Sequence, residues 1–187
     1  CTTSPAANRR SGNGKNSSPL IRSMVNSNIM KRGEVIFSDF SPGSGIRKAV
    51  QMSSSEIIHI VKSSYVRGRG GAGFPTAMKW EVAKKAPCDV KYIFCNADEG
   101  EPGTFKDRVI LTEIPKLVFE GMAIAGYAVG AKYGILYLRN EYLYLRKYLE
   151  SVLGEMQNDN LLGALIAGKP GFNFDIKIQF GAGAYVC

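Results

Sequence analysis

Two backbone-permissive stretches, RGRGGAGFPTAMKW (67–80) and KYIFCNADEGEPGTFKDR (91–108), lie close together in this chain and constrain it more than any other feature. The first places Gly68, Gly70, Gly71 and Gly73 within six positions. Glycines take φ > 0 freely and let backbone N–H groups approach a ligand closely, at an entropic cost that a plain linker has no need to bear. The spacing Gly68-x-Gly70-x-x-Gly73 matches the dinucleotide fingerprint, which has meaning only after a strand and before a helix. Residues 53–66 carry helical rather than strand spacing, so the ordinary Rossmann reading fails. No Gly-Lys-Ser/Thr closes the run, so a P-loop fails too. What remains is a glycine-rich turn opening into a helix from about Met78, whose free N–H groups suit an anion or a polar ring edge. On the glycines alone, a flexible surface loop fits equally well.

The second stretch shifts that balance. Residues 91–95 (KYIFC) form a compact β-prone run, and Asn96, Asp98, Glu99, Gly100 and Glu101 follow directly. Polar groups at the carboxyl end of a strand are where open α/β sheets bind ligands. Three carboxylates within four residues repel one another unless hydroxyls, amides or cations engage them, and Lys106 and Arg108 are near enough in sequence to help. Solvated charge is the usual reading of an acidic run. Beside a strand end and a glycine loop, ligand binding takes precedence.

The remaining chain describes an α/β fold. Ser53-x-x-Glu56 is a capping box ahead of Ile57, Ile58, Val61 and Tyr65 at helical spacing. Pro115 starts a helix through Ala131 whose Gly121, Gly126 and Gly130 allow close packing on a sheet. Glu120 interrupts its apolar run, which is shorter than the roughly 20 residues of a membrane span, so this is a core helix. Residues 133–138 (YGILYL) read as a buried parallel strand. Asn140 caps an amphipathic helix to about Met156, with Leu143, Tyr144, Tyr148, Leu149, Val152 and Leu153 on its apolar side. Residues 174–180 form a last strand running into Gly181-Ala-Gly183-Ala-Tyr185. Helices alternating with strands predict a parallel sheet flanked by helices.

Charge and cysteine usage narrow the function classes. The formal net charge is +8, but residues 1–33 hold six Lys/Arg and no acid, leaving 18 basic against 16 acidic residues. The basic balance is therefore concentrated in a polar tail, and no aromatic–basic interleaving supports nucleic-acid binding. Residues 1–18 lack any apolar period and are expected to be disordered, and no signal peptide is recognisable. Cys1, Cys88, Cys95 and Cys187 form no C-x-x-C pair, so no metal site is expected. His59 is the sole histidine and stands on a helix without metal-ligand neighbours. Trp80 is read as core.

GRGGAGFPTAMKW followed by NADEGEPGTFKDR resembles the family of flavin- and NADH-binding subunits. This family comprises the complex I flavoprotein, the diaphorase flavoprotein of NAD-reducing NiFe hydrogenases and the corresponding flavoproteins of NAD-linked formate dehydrogenases. The resemblance runs from about Ile21 to Cys187 and is closest to the hydrogenase diaphorase. It implies a Rossmann-like flavin-binding domain incomplete at its C-terminus. Residues 1–18 would then be a tail, 19–52 a connecting segment, and 53–187 the N-terminal part of the FMN/NADH domain. It further implies that Gly68, Arg69, Gly70, Gly71, Ala72, Gly73 and Lys79 lie at FMN. Asn96, Asp98, Glu99 and Gly100 would meet its polar edge or ribityl chain. Phe74 and Glu101 would face NADH, and Tyr185 would border the pocket. A 4Fe-4S cluster is implied for the full-length subunit, with its ligands beyond this sequence. The expected activity is transfer of reducing equivalents from NAD(H) through FMN to iron–sulfur centres, with positioning rather than an acid or base as the protein's task. Other subunits of a hydrogenase or dehydrogenase are the expected partners, in the cytoplasm, without membrane insertion. A complex I or formate dehydrogenase subunit, and a non-catalytic nucleotide-binding or interaction domain, are the alternatives.

Overall fold

The computed structural model describes residues 35–183 and Tyr185. The expected tail, the first part of the connecting segment, Cys1 and Cys187 lie outside the described residues. Helices α1 (Ser44–Ala49), α2 (Ser54–Ser63) and α3 (Thr76–Lys85) lead to strand β1 (Tyr92–Ala97). Helices α4 (Lys106–Glu113) and α5 (Pro115–Val129) lead to β2 (Tyr133–Leu138). A 3-10 turn (Asn140–Leu145), α6 (Arg146–Asn158) and a short 3-10 turn (Ile166–Gly168) lead to β3 (Asp175–Phe180).

The strands form a parallel sheet in the order β1-β2-β3. Tyr92, Tyr133 and Asp175 align at its amino edge, and Ala97, Leu138 and Phe180 at its carboxyl edge. Two right-handed crossovers stepping the same way along a sheet put their helices on one face, and burial follows that rule. Ile93, Cys95, Ala97, Leu136, Leu138, Ile176, Ile178 and Phe180 join the core with α5 and α6. The alternate residues look outward: Phe94 is 66% exposed, and Tyr92 stacks on Tyr133 at 5.5 Å in the open. Sequence reasoning made β2 a buried strand. Among the described residues only one of its faces is covered, because its Tyr133, Ile135 and Tyr137 face away from the helices.

Glycines make the core fit. Phe174 is fully buried, and a Cβ on Gly126 of α5 or Gly134 of β2 would lie 2.5 Å or 2.8 Å from its ring. Gly130 ends α5 in the left-handed region at φ 78°, while Gly121 faces open space. The three glycines read alike as packing residues thus divide into one packing contact, one helix stop and one with no neighbour.

Glu120 has a structural task. Its buried carboxylate accepts the Gly43 N–H at 2.7 Å and the Ile46 N–H at 3.0 Å, capping α1 across 74 residues or more of sequence. Ile46, Ala49 and Val50 are buried, so the described part of the expected connector supplies a helix to the core. The Ser53–Glu56 capping box forms, with Ser53 N–H donating to Glu56 Oε2 at 2.7 Å and Glu56 N–H to Ser53 Oγ at 3.3 Å. Ile57 and Ile58 are buried as expected. Tyr65 is not on that face: the helix ends at Ser63, and Tyr65 turns outward at φ 54°.

Candidate flavin site at the carboxyl edge

The glycine loop is closed at its neck. Gly68 N–H donates to the Phe74 carbonyl at 2.9 Å, and Thr76 N–H to the Val66 carbonyl at 3.0 Å. Arg67 adds an Nη1 bond to the Gly73 carbonyl at 3.2 Å. Between these ties, Gly71 and Gly73 stand at φ 103° and 61°, a region that side chains rarely tolerate. A Cβ built on Gly70, Gly71 or Gly73 would meet nothing within 4 Å. The loop is thus a rimmed, open cradle of backbone, with Arg69 and Ala72 exposed and Phe74 half exposed. It opens into α3, two residues earlier than expected from the sequence, with Lys79 exposed and Trp80 packed into the core. Lys91 Nζ donates to the Lys84 carbonyl at 2.6 Å, which fixes the end of α3 beside the start of β1. The cradle lies at the other end of α3, ten residues away along the helix, and the bonds that close it run within the loop itself.

Three segments emerge at the carboxyl edge. β1 runs two residues beyond its expected end, so Asn96 belongs to the strand, on its exposed face. Asn96 Oδ1 accepts the Asp98 N–H at 3.0 Å and starts the acidic loop. Gly100 N–H closes back on the Asp98 carbonyl at 2.9 Å, and Thr104 Oγ1 donates to the Glu101 carbonyl at 2.6 Å. Asp98 is half-buried and Glu101 exposed. From β3, Gly181 N–H donates to the Leu138 carbonyl at 2.9 Å, and Gly181 lies close under the Tyr137 hydroxyl. Tyr185 follows, exposed.

Glu99 behaves differently from its acidic neighbours. It is 5% exposed, and its carboxylate is turned into the protein. Oε1 accepts the Asp107 N–H at 3.1 Å and Oε2 the Arg108 N–H at 3.4 Å, so Glu99 caps α4. Tyr142 OH donates to Oε2 at 2.8 Å, and Arg139 Nη1 donates to the Glu99 carbonyl at 2.6 Å. Lys106, expected near the acids, pairs with Asp107 at 2.7 Å and reaches Glu99 only at 3.9 Å. Arg108 Nε is a buried donor with no partner among the described residues.

Electrostatics follow from this arrangement. Burial, then the bond to the Glu99 carboxylate, pushes Tyr142 up to about 12. Burial, then the Asp107 charge, raises the Cys95 thiol and so disfavours its thiolate. The bond to Glu141 holds Arg139 firmly charged.

Sequence reasoning missed Arg139 and Tyr142. It placed Asn140 as the cap of a long helix, whereas a 3-10 turn intervenes, interrupted at Tyr142 (φ −96°, ψ 18°), and α6 begins at Arg146. Tyr142 and Leu145 take the buried positions assigned to Leu143 and Tyr144, which are exposed. Tyr148, Leu149, Val152 and Leu153 are buried as expected. The available signal was position: Arg139 and Tyr142 follow the carboxyl end of β2 by one and four residues. Among the described residues no group of three or more His, Cys, Asp or Glu could hold a metal ion, and Cys88 and Cys95 are free. None of the described helices is long and apolar enough to cross a membrane.

Comparison with known proteins gives this geometry a family. The alpha subunit of the NAD-reducing hydrogenase HoxS of Cupriavidus necator is 51% identical over 168 residues, covering 89% of this chain and 28% of that one. The F 2 subunit of the NADH-quinone oxidoreductase of Rhizobium meliloti is 46% identical over 156 residues, covering 81% of this chain and 37% of that one. The crystal structure of an NAD+-reducing NiFe hydrogenase in the H2-reduced state superposes with a TM-score of 0.65 at 37% identity, over 91% of this chain and 26% of that one. The chain therefore spans little more than a third, at most, of the length of these relatives. The family model described as the Nuo51 FMN-binding domain matches residues 61–187, and the chain belongs to that family.

Proposed function

We propose that this chain is part of an NADH:acceptor oxidoreductase (diaphorase) module of a NAD-reducing NiFe hydrogenase. In this reading it holds FMN between the glycine cradle and the acidic loop. The observation that carries the reading is an open backbone cradle and an acidic strand end in one member of an FMN-binding family. The residues fit a flavin: the cradle presents glycine backbone with free space where side chains would stand, and Asn96, Asp98 and Glu101 supply polar groups at a strand end.

FMN, when bound, supplies the exchange between the two-electron donor NADH and single-electron iron–sulfur acceptors. The chain's residues bind and orient. Gly68, Arg69, Gly70, Gly71, Ala72 and Gly73 lie against the ring, and Lys79 offers a cation. Asn96, Asp98 and Gly100 meet the polar edge or ribityl chain, while Glu99 anchors the loop from inside. Phe74 and Glu101 contact NADH by stacking and by hydrogen bonds to ribose or amide groups, and Tyr185 borders the pocket. No residue of the chain needs to act as acid or base. The 4Fe-4S cluster, the other subunits and a cytoplasmic setting belong to the same reading. A complex I flavoprotein is the second reading, favoured by the 46% identity to the R. meliloti quinone oxidoreductase.

The purified full-length subunit should be yellow, with a flavin spectrum that NADH bleaches. A colourless protein that takes up no FMN sinks the proposal. Glu101→Gln in that subunit should raise the KM for NADH by about tenfold, the scale of a lost charged hydrogen bond, while flavin stays bound. Flavin loss with unaltered NADH affinity in the remaining holoenzyme would contradict the role given to Glu101.

A further inference from the structure

We propose that Arg139 and Tyr142, in the turn after β2, are positioning residues that set the acidic loop for its ligands. The proposal rests on the FMN/NADH reading for what the loop binds, but its structural half stands apart from that reading. Arg139 makes one tie to the last residue of β1 and one to the segment that follows it. Its N–H donates to the Ala97 carbonyl at 3.1 Å, and its Nη1 to the Glu99 carbonyl at 2.6 Å. Tyr142, 6% exposed, donates its hydroxyl to Glu99 Oε2 at 2.8 Å. The same carboxylate oxygen receives the Arg108 N–H, and its partner oxygen the Asp107 N–H. Glu99 is thereby held through both its peptide and its side chain, with the loop's departure and its re-entry into α4 joined at one residue.

The consequence concerns Asp98 and Glu101. These flank Glu99 in a stretch that contains Gly100 and Gly103, the latter at φ 82° with nothing within 4 Å of a Cβ. Such a stretch loses much conformational freedom on being ordered. Fixing Glu99 determines where its neighbours point. The 3-10 turn that breaks the expected helix at Asn140 is what brings Tyr142 inward to make the bond. Neither residue needs to touch a ligand: Tyr142 is buried and Arg139 is engaged by Glu99 and Glu141.

Tyr148 provides a matched control. It is 7% exposed and, from α6, its hydroxyl donates at 3.0 Å to the Thr112 carbonyl in the last turn of α4, at the end of that helix remote from the acidic loop. The test compares Tyr142→Phe, Arg139→Lys and Tyr148→Phe in the full-length subunit within its complex. Hydrogen exchange of peptides covering Asp98 to Thr104 should speed up in the first two variants and not in Tyr148→Phe. FMN dissociation should become about tenfold faster in Tyr142→Phe, with KM for NADH rising more than kcat falls, as expected for loss of ground-state positioning. Exchange rates in that segment equal to wild type in Tyr142→Phe overturn the proposal, as does the same acceleration in Tyr148→Phe. If wild type carries no flavin, the FMN reading fails while the exchange measurement still decides the positioning role.

Discussion

Tyr142 and Glu99 share a bond whose pH dependence has a definite sign. Tyr142 is held protonated in the folded protein up to about 12, above its ordinary value of about 10. Its contribution to stability is therefore complete below about pH 10 and lost as pH rises from there through 12. The ratio of Tyr142→Phe to wild-type FMN affinity should accordingly be flat between pH 6 and 9, and a slope in that window would show that another group controls the bond. Gly70 offers a sharper residue-scale test. Its backbone is not left-handed and a Cβ there meets no protein atom, so Gly70→Ala should leave the melting temperature within about 2 °C, a shift of well under 1 kcal/mol. FMN affinity should nevertheless fall, because the methyl group enters the space given to the ring. Unchanged FMN affinity would place the flavin elsewhere. At this scale the sequence singled out the glycines and the acidic residues as candidates but did not distinguish their individual settings. Asp98, Glu99 and Glu101 are chemically alike and lie within four positions, and the cap of α4 and the hydroxyl of Tyr142 hold one of them inward.

At the scale of elements, long-range caps decide what local pattern does not. α1 is held by Glu120, and α4 by Glu99. Neither carboxylate is in the helix it caps, so neither helix start had a local signal; the α2 capping box, made within four residues, was legible. Glu120→Gln should destabilise the fold by about 1.5–3 kcal/mol, the cost of weakening charged hydrogen bonds in the interior, read as a shifted urea midpoint. A midpoint equal to wild type would mean that α1 docks by apolar contact alone. Gly126→Ala should cost about 1–3 kcal/mol by overpacking against Phe174, whereas Gly121→Ala, in open space, should be neutral or slightly stabilising in its helix. Equal effects at the two positions would contradict the assigned packing. The start of α6 was misplaced for a related reason: residues 140–156 have helical spacing throughout, but a 3-10 turn comes first, and Arg139 and Tyr142 bond to Glu99 from it.

Among the described residues, the sheet is covered on one side. Parallel sheets normally have both faces buried, yet Tyr92, Phe94 and Tyr133 stand exposed on the face opposite α5 and α6. In β1 the sequence carried no sign of this, since both alternating sets, Tyr92 and Phe94 against Ile93 and Cys95, are apolar. In β3, by contrast, Asp175, Lys177 and Gln179 alternate with Ile176, Ile178 and Phe180 and mark the open face. The parallel α/β class was legible because helices and strands alternate, and the strand order follows the chain. The 187-residue chain by itself should bind a hydrophobic dye, and replacing both Phe94 and Tyr133 with Lys should reduce that binding without unfolding the core. Absence of dye binding would show that the face is covered in solution. The central claim is that one flavin is gripped by both the glycine cradle and the acidic loop. A crystal structure of the full-length subunit with FMN bound tests it most directly. The ring should lie within van der Waals reach, about 3.5–4 Å, of the Gly70 backbone, with Asp98 hydrogen-bonded to the same FMN molecule. Gly70 and Asp98 on separate surfaces, with FMN touching only one of them, would contradict it.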